Sequence, residues 1–354
     1  MTIKLDPRLS SALQNGLAIP ACPLALTANR RFDEQRQRAL IRYYSASGAG
    51  DLAIGVHTTQ FEMHEPQRGL FKPILELAAE ELRNQEELFA KTMIWIGGIL
   101  GETPQAVREA LTLRDTGYHA GLLCLNSMLN CSVKELITHC RQIAEIIPLI
   151  GFYLQPAVGG QVLSTEFWHS FAEIDNVVAI KIAPFNRYQT FDVVRAVVEV
   201  GRDDIALYTG NDDAIVWDLL TEYAILVNGE TKRRRIAGGL LGHWACWTQK
   251  AVLLLEECQR QMCQVSITRD LLTKAAQVTD CNAVLFDAAN GFKGCISGIH
   301  EVLRRQGLLA GIWCLNPRET LSTGQSEELD RIYRSYPDLF DDSFVAEHLD
   351  QWLK

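Results

Sequence analysis

The chain has 354 residues, 47% of them hydrophobic, enough to bury a core without disulfide staples and to build a barrel of about 250 residues with an appendage. Its formal charge of −9 disfavours a nucleic-acid partner, which needs a concentrated basic surface, and the one basic run, Lys232 to Arg235, is short and reads as a solvated loop flank. Ten scattered cysteines without a CxxC pair or zinc spacing, the lack of any apolar run near the ~20 residues of a membrane span, and an opening stretch without a secretory pattern predict reduced thiols, no membrane partner and a cytoplasmic location.

Short aliphatic runs recur along the chain, each followed by a longer segment of helical period, which is the mark of parallel β/α units. They predict strands at 18–26, 52–56, 93–99, 121–125, 149–154, 177–182, 205–209 and 235–240. Helices are predicted at 33–47 behind an acidic N-cap, at 103–116 with Pro104 in first position, and at 132–145, where Ser132 and Glu135 make a capping box. Another starts at Ser164 with Phe167, Trp168 and Phe171 as a core-facing stripe. Eight strands with no glycine-rich dinucleotide turn after the first imply a (β/α)8 TIM barrel rather than a doubly wound sheet. A last barrel helix is predicted at 245–260, and beyond it only helices, at 269–278, 296–306, 326–336 and 344–353. The expected organisation is therefore a barrel over 1–260 and a helical C-terminal subdomain over 261–354, packed on it without a flexible linker.

The candidate chemistry starts at Lys181. In the sixth predicted strand Val178, Ile180 and Ile182 share one face, while Ala179, Lys181 and Ala183 share the other. If the small-residue face points into the barrel, burial lowers the amine's pKa and makes it a nucleophile for carbonyl carbon; a lysine snorkelling to solvent at a strand end is the alternative. Tyr153, at the end of the fifth strand, is a candidate proton shuttle or a buried core tyrosine. Thr58 and Thr59, after the second strand, offer hydroxyls and backbone N–H groups to a carboxylate, or make an ordinary turn. Gly210 and Asn211, after the seventh, allow close approach of a substrate or form a plain turn. No HxH or HxxxH pair or neighbouring acidic cluster suggests a metal, and no cofactor is expected.

Together these residues resemble the dihydrodipicolinate synthase / N-acetylneuraminate lyase family of class I, Schiff-base aldolases and lyases. That family has a Thr-Thr or Ser-Thr pair after the second strand, Tyr after the fifth, Lys in the sixth and a Gly-Asx-Asp loop after the seventh. The 28 residues from Tyr153 to Lys181 match its familiar spacing, and the likeness runs from about Ile19 to Arg260. It implies Lys181 and Tyr153 as catalytic residues, Thr58, Thr59, Gly210 and Asn211 as substrate-binding, and a homo-oligomer, dimer or tetramer. The chain departs from the family where Gly-Thr-Thr-Gly-Glu becomes His57-Thr58-Thr59-Gln60-Phe61, where Tyr-Asn becomes Tyr153-Leu154, and where the synthases' arginine is replaced in Ala157-Val158-Gly159. Asn126-Ser127-Met128-Leu129 also lacks the relay tyrosine. His57, Asn126 and Arg187 are candidates for an altered pocket, or else a packed histidine, an ordinary turn asparagine and a solvated loop arginine. The expected function is a lyase, aldolase or dehydratase, acting on pyruvate or a pyruvate-ended 2-oxo acid, without the second-substrate recognition of the lysine-pathway synthases. The alternative is a non-catalytic keto-acid-binding barrel.

Overall fold

The computed structural model describes residues 3–354. In chain order the elements are α1 (Pro7–Asn15), β1 (Ala18–Pro20), α2 (Glu34–Ala46), β2 (Asp51–Ile54), α3 (Phe71–Phe89), β3 (Ile94–Ile99), α4 (Thr103–Thr116), β4 (Ala120–Cys124), α5 (Val133–Ala144), β5 (Leu149–Leu154), α6 (Thr165–Ala172), β6 (Val177–Ala183), α7 (Arg187–Val200), β7 (Ala206–Thr209) and α8 (Ile215–Leu220). There follow β8 (Glu222–Val227), β9 (Glu230–Arg235), β10 (Gly238–Leu241), α9 (Thr248–Met262), α10 (Arg269–Leu285), α11 (Cys295–Arg305), α12 (Gln325–Ser335) and α13 (Asp342–Trp352). The eight-stranded sheet and its intervening helices are those of a (β/α)8 barrel, with helices alone after β10. No helix among the described residues is long and apolar enough to cross a membrane.

Two compact units divide the chain. The first combines the residues up to Leu17 with Ile94–Leu240. Its strands run in parallel in the order β3-β4-β5-β6-β7-β10. Helix α1 begins on Asp6, whose carboxylate accepts from Arg8 N–H, with Pro7 in the first turn. The Tyr208 hydroxyl fastens α1 to the sheet, donating to Leu13 O at 2.8 Å and accepting from Leu17 N at 3.1 Å. This helix is absent from the sequence-based expectation, although Asp-Pro is a start signal.

The antiparallel hairpin β8/β9 is a second addition, paired from Glu222↔Arg235 to Val227↔Glu230. Asn228 and Gly229 turn it with φ of 52° and 84°, the positive pair of a type I′ turn. The basic run lies here, with Arg233 and Arg235 on Glu222, Lys232 on Glu230, and Arg234 donating to the Asp203 and Ile205 carbonyls. Arg235 thus belongs to the hairpin, and the eighth barrel strand starts at Gly238 rather than 235.

The second unit combines Ala18–Met93 with Leu241–Lys354. Strands β1 and β2 lie side by side, with Ala21 bridging Ala53. Helix α2 packs its buried Tyr43 and Tyr44 here: the Tyr43 hydroxyl donates to Asp341 at 2.8 Å and accepts from Thr248 N at 2.7 Å. Trp247, Tyr333 and Phe340 form an aromatic cluster with centroids 4.4–5.9 Å apart, which ties α9, α12 and the segment before α13 to one core.

Candidate active site

Lys181 sits in β6 with 6% of its surface exposed. Its Cα partners are Phe152 on β5 and Tyr208 on β7, while Cys124 on β4 is in turn paired with Phe152. In a parallel sheet such partners share a face. The lysine nitrogen stands over the Phe152 ring, 4.3 Å from its centroid. Burial lowers the ammonium's pKa from 10.5 to about 8, opposed by the negative charge of Asp212 and by Cys124. At that value roughly a tenth of the amine is neutral at pH 7, against about 0.03% for a free lysine. The Cys124 thiol on the same face is itself pushed up to about 12 by burial, so it is a protonated neighbour.

Gly210 follows β7 and holds its strand edge through Gly210 N–H donating to Ile182 O at 2.7 Å. A Cβ added there would meet Ala183 Cβ at 2.7 Å and Lys181 Cε at 2.8 Å. Its missing side chain is therefore space occupied by the lysine stem. Asn211, fully buried, is engaged by the fold: Oδ1 accepts from Phe185 N at 2.9 Å, and Nδ2 donates to Thr190 Oγ1 at 3.2 Å and Asp218 Oδ2 at 2.9 Å. The buried Asp218 also takes the Thr209 hydroxyl at 2.6 Å and the Arg187 guanidinium. These bonds correct two expectations. Asn211 fixes the loop instead of offering its amide to a substrate, and Arg187 is neutralised by Asp218 instead of standing ready for a second carboxylate.

Tyr153 needs a further correction. Its hydroxyl accepts from Leu163 N at 3.3 Å and bonds Leu163 O at 3.4 Å, and its ring lies 5.2 Å from that of Trp168 on α6. Gly151, on the same face of β5, would place a Cβ 2.7 Å from Phe171, also on α6. Tyr153 therefore faces the helices, opposite to Phe152. The cause is a register shift. β5 and β6 start with Leu149↔Val177, but the next pair is Ile150↔Ala179, so Val178 is an extra residue. Without it a spacing of 28 would bring Tyr153 opposite Lys181; with it Phe152 takes that place. Phe152 is the neighbour of the candidate lysine that the sequence analysis did not find.

In the second unit, Thr58 and Thr59 are buried in a 3-10 turn, His57–Thr59. The Thr59 hydroxyl donates to Cys22 O at 2.7 Å and accepts from Gly55 N at 3.0 Å and Val56 N at 3.2 Å, so it staples the turn. Gln60 has φ 73°, the left-handed backbone that favours glycine, and its Oε1 accepts from Leu315 N at 2.5 Å. That bond accounts for a glutamine where the family pattern has glycine: the side chain anchors the segment leading to α12. His57 stands edge-on to Phe61, centroids 5.4 Å apart.

The sequence model of the dihydrodipicolinate synthetase family matches residues 18–222, ending where the β8/β9 hairpin begins. Comparison with curated protein sequences finds no match. Among solved structures, dihydrodipicolinate synthase from Oceanobacillus iheyensis superposes with a TM-score of 0.72 at 17% identity, covering 94% of this chain and 99% of that one. N-acetylneuraminate lyase from Fusobacterium nucleatum, solved with pyruvate, gives 0.68 at 15%, covering 93% and 99%. Dihydrodipicolinate synthase from Agrobacterium tumefaciens gives 0.69 at 19%, covering 91% and 99%. At these identities the superpositions establish the barrel, and the match over more than half of the sequence establishes the lineage: this chain belongs to the dihydrodipicolinate synthetase family.

Proposed function

We propose that the chain is a class I lyase in which neutral Lys181 attacks the C2 carbonyl of pyruvate or a pyruvate-ended 2-oxo acid. The observation that carries this reading is a buried amine whose pKa is lowered to about 8 on a face of small and apolar residues. Attack forms the C–N bond, water leaves with one added proton, and the iminium draws electrons from C3. A C–C bond then breaks or forms there, or a neighbouring hydroxyl departs; aldolase and dehydratase outcomes share the intermediate. Tyr153 is turned away from this face, so the proton from C3 needs another carrier, and Asp212→Asn is the variant that tests whether the loop after β7 supplies it. The family resemblance gives the substrate carboxylate to Thr58 and Thr59. Because the Thr59 hydroxyl is engaged by the turn, the proposal keeps Thr58, and Thr58→Ala is expected to raise half-saturation by the keto acid. A homo-oligomer, dimer or tetramer, is part of the same reading and is checked by light scattering.

The test is incubation with pyruvate and borohydride, followed by intact mass and peptide mapping. An adduct on Lys181 that disappears in Lys181→Ala supports the assignment; no adduct with pyruvate or several longer keto acids refutes it. A phenylalanine in place of a phenol beside the amine favours a second reading, a barrel that binds keto acids without turnover. Its signature is a Lys181 adduct together with no cleavage, condensation or dehydration across a panel of neutral, aromatic and acidic aldehydes and their hydroxylated keto-acid products.

A further inference from the structure

The contact between Lys181 and Phe152 deepens that reading. The nitrogen lies 4.3 Å from the ring centroid, well inside the ~6 Å over which the negative face of an aromatic ring attracts a cation. The register makes this a built-in contact, because Phe152 and Lys181 are directly paired on adjacent strands and both are buried. Gly210 leaves the lysine stem its room from the side of β7, since a Cβ there would meet Lys181 Cε at 2.8 Å and Cγ at 3.2 Å. The other titratable groups around the nitrogen are Asp212 after β7 and Cys124 on β4; Tyr208, the partner on β7, has its hydroxyl engaged by Leu13 and Leu17.

We propose that Phe152 is a positioning residue, holding the Lys181 nitrogen against its ring and stabilising first the ammonium and then the iminium of the bound keto acid. The two species respond differently to pH. The ammonium loses its proton and, with it, the attraction to the ring. The iminium, formed when amine and carbonyl combine with one proton and release one water, stays cationic until it loses a proton to become the enamine or is hydrolysed. The ring thus opposes deprotonation of the free amine and favours the covalent complex once it forms. Removing the ring without removing the apolar volume should make the amine more acidic and, above its midpoint where the free amine is neutral, make the iminium less populated. Loss of packing alone would not produce that opposed pair of changes.

This inference rests on the Schiff-base reading for its second half only, and the experiment separates the two. The rate of acetylation of Lys181 by a pulse of acetic anhydride, followed by peptide mass spectrometry from pH 6 to 11, titrates the free amine without any keto acid. Borohydride trapping over a range of pyruvate concentrations at about pH 10, where the free amine is neutral and the ring's hold on the ammonium no longer offsets its hold on the iminium, gives the half-saturation of the iminium. In Phe152→Leu and Phe152→Met the titration midpoint is expected to fall by roughly 0.5–1 pH unit and the half-saturation to rise about three- to tenfold. In Phe152→Trp, which keeps an aromatic face, both should stay close to wild type. A midpoint unmoved in both ringless variants, or moved equally by Trp, overturns the proposal; two ringless variants guard against one that fails to fold. If wild-type protein acetylates normally but gives no pyruvate adduct, the Schiff-base reading falls, while the titration still decides whether the ring holds the ammonium.

Discussion

Gly210→Ala tests whether the lysine stem needs the space above β7. The new Cβ would stand 2.7 Å from Ala183 Cβ, 2.8 Å from Lys181 Cε and 3.2 Å from Lys181 Cγ, whereas carbon atoms pack at about 3.5–4.0 Å. Something must move by about 1 Å. Ala183 Cβ has no rotamer to escape into, and the end of β7 is tied by the 2.7 Å bond from Gly210 N–H to Ile182 O. The lysine therefore yields most. A displacement of that size at a reacting group lowers rate by roughly a hundredfold, and the overpacking costs about 1–3 kcal/mol of stability. Pyruvate trapping kinetics at pH 8 and a thermal melt measure the two effects separately. Gly229→Ala is the control: the residue sits at φ 84° in the hairpin turn with no atom near its added Cβ, so it should lower the melting temperature by backbone strain of about 1–3 kcal/mol and leave trapping unchanged. Wild-type trapping and melting in Gly210→Ala would refute the reasoning.

Lys181→Met should abolish trapping yet stabilise the fold at pH 7, because it removes a buried ionisable group for similar volume. The lysine's folded pKa of about 8 lies below its unfolded value near 10.5, so its penalty, at most about 3 kcal/mol, is full below pH 8 and relieved as pH rises to 10.5; urea melts should show the variant's advantage shrinking across that window. Asp218→Ala should cost about 3 kcal/mol, since it leaves Arg187, Thr209 and Asn211 without their shared acceptor, and an unchanged denaturation midpoint would contradict that network. His243 and His300 are buried, and burial lowers each pKa from 6.5 to about 4. Both are neutral in either state above pH 6.5. Below it the unfolded chain takes up protons first, so stability should fall between pH 6.5 and 4 by about 3 kcal/mol per histidine. His243→Asn should blunt that decline in an acid-titrated melt, and an equally steep decline would count against it.

The parallel β/α order and the helix starts at Asp33 and Ser132 were legible because each is written in a few adjacent residues. Asp33 and Ser132 are both seen capping, Ser132 in a box with Glu135. Lys181 was legible for a similar reason: its strand alternates small residues on one face and large ones on the other. The elements left out carried local signals too. Asp6-Pro7 opens α1, and Asn228-Gly229 turns the hairpin. What hid the hairpin was its composition, since Glu230 to Arg235 is charged and mostly exposed; its strands are stabilised by cross-strand pairs such as Glu222 with Arg233 and Arg235 rather than by burial.

The candidate residues were harder to read because they depend on partners distant in sequence. Nothing next to Asn211 indicates that Asp218, Thr190 and Phe185 will engage its amide, and nothing around Gln60 indicates that Leu315 will bond it at a positive φ. Tyr153 is the sharpest case. Its spacing to Lys181 suits a straight ladder, and a straight ladder is what alternation alone predicts. One extra residue at Val178 changes the pairing from Leu149↔Val177 to Ile150↔Ala179 and exchanges the two faces of β5 for everything that follows. Val178 is an ordinary strand residue, so the bulge leaves no mark in composition or periodicity. It is fixed instead by what each face must accommodate: Gly151 beneath Phe171, Tyr153 against Trp168 and Leu163, and Phe152 beneath the lysine nitrogen. Restoring the straight register would drive the Phe152 ring out towards α6 and bring the Tyr153 hydroxyl inward, away from both of its backbone partners. The outward tyrosine and the inward phenylalanine are therefore one structural choice, and a phenol cannot be returned to the amine by chemistry at position 153 alone.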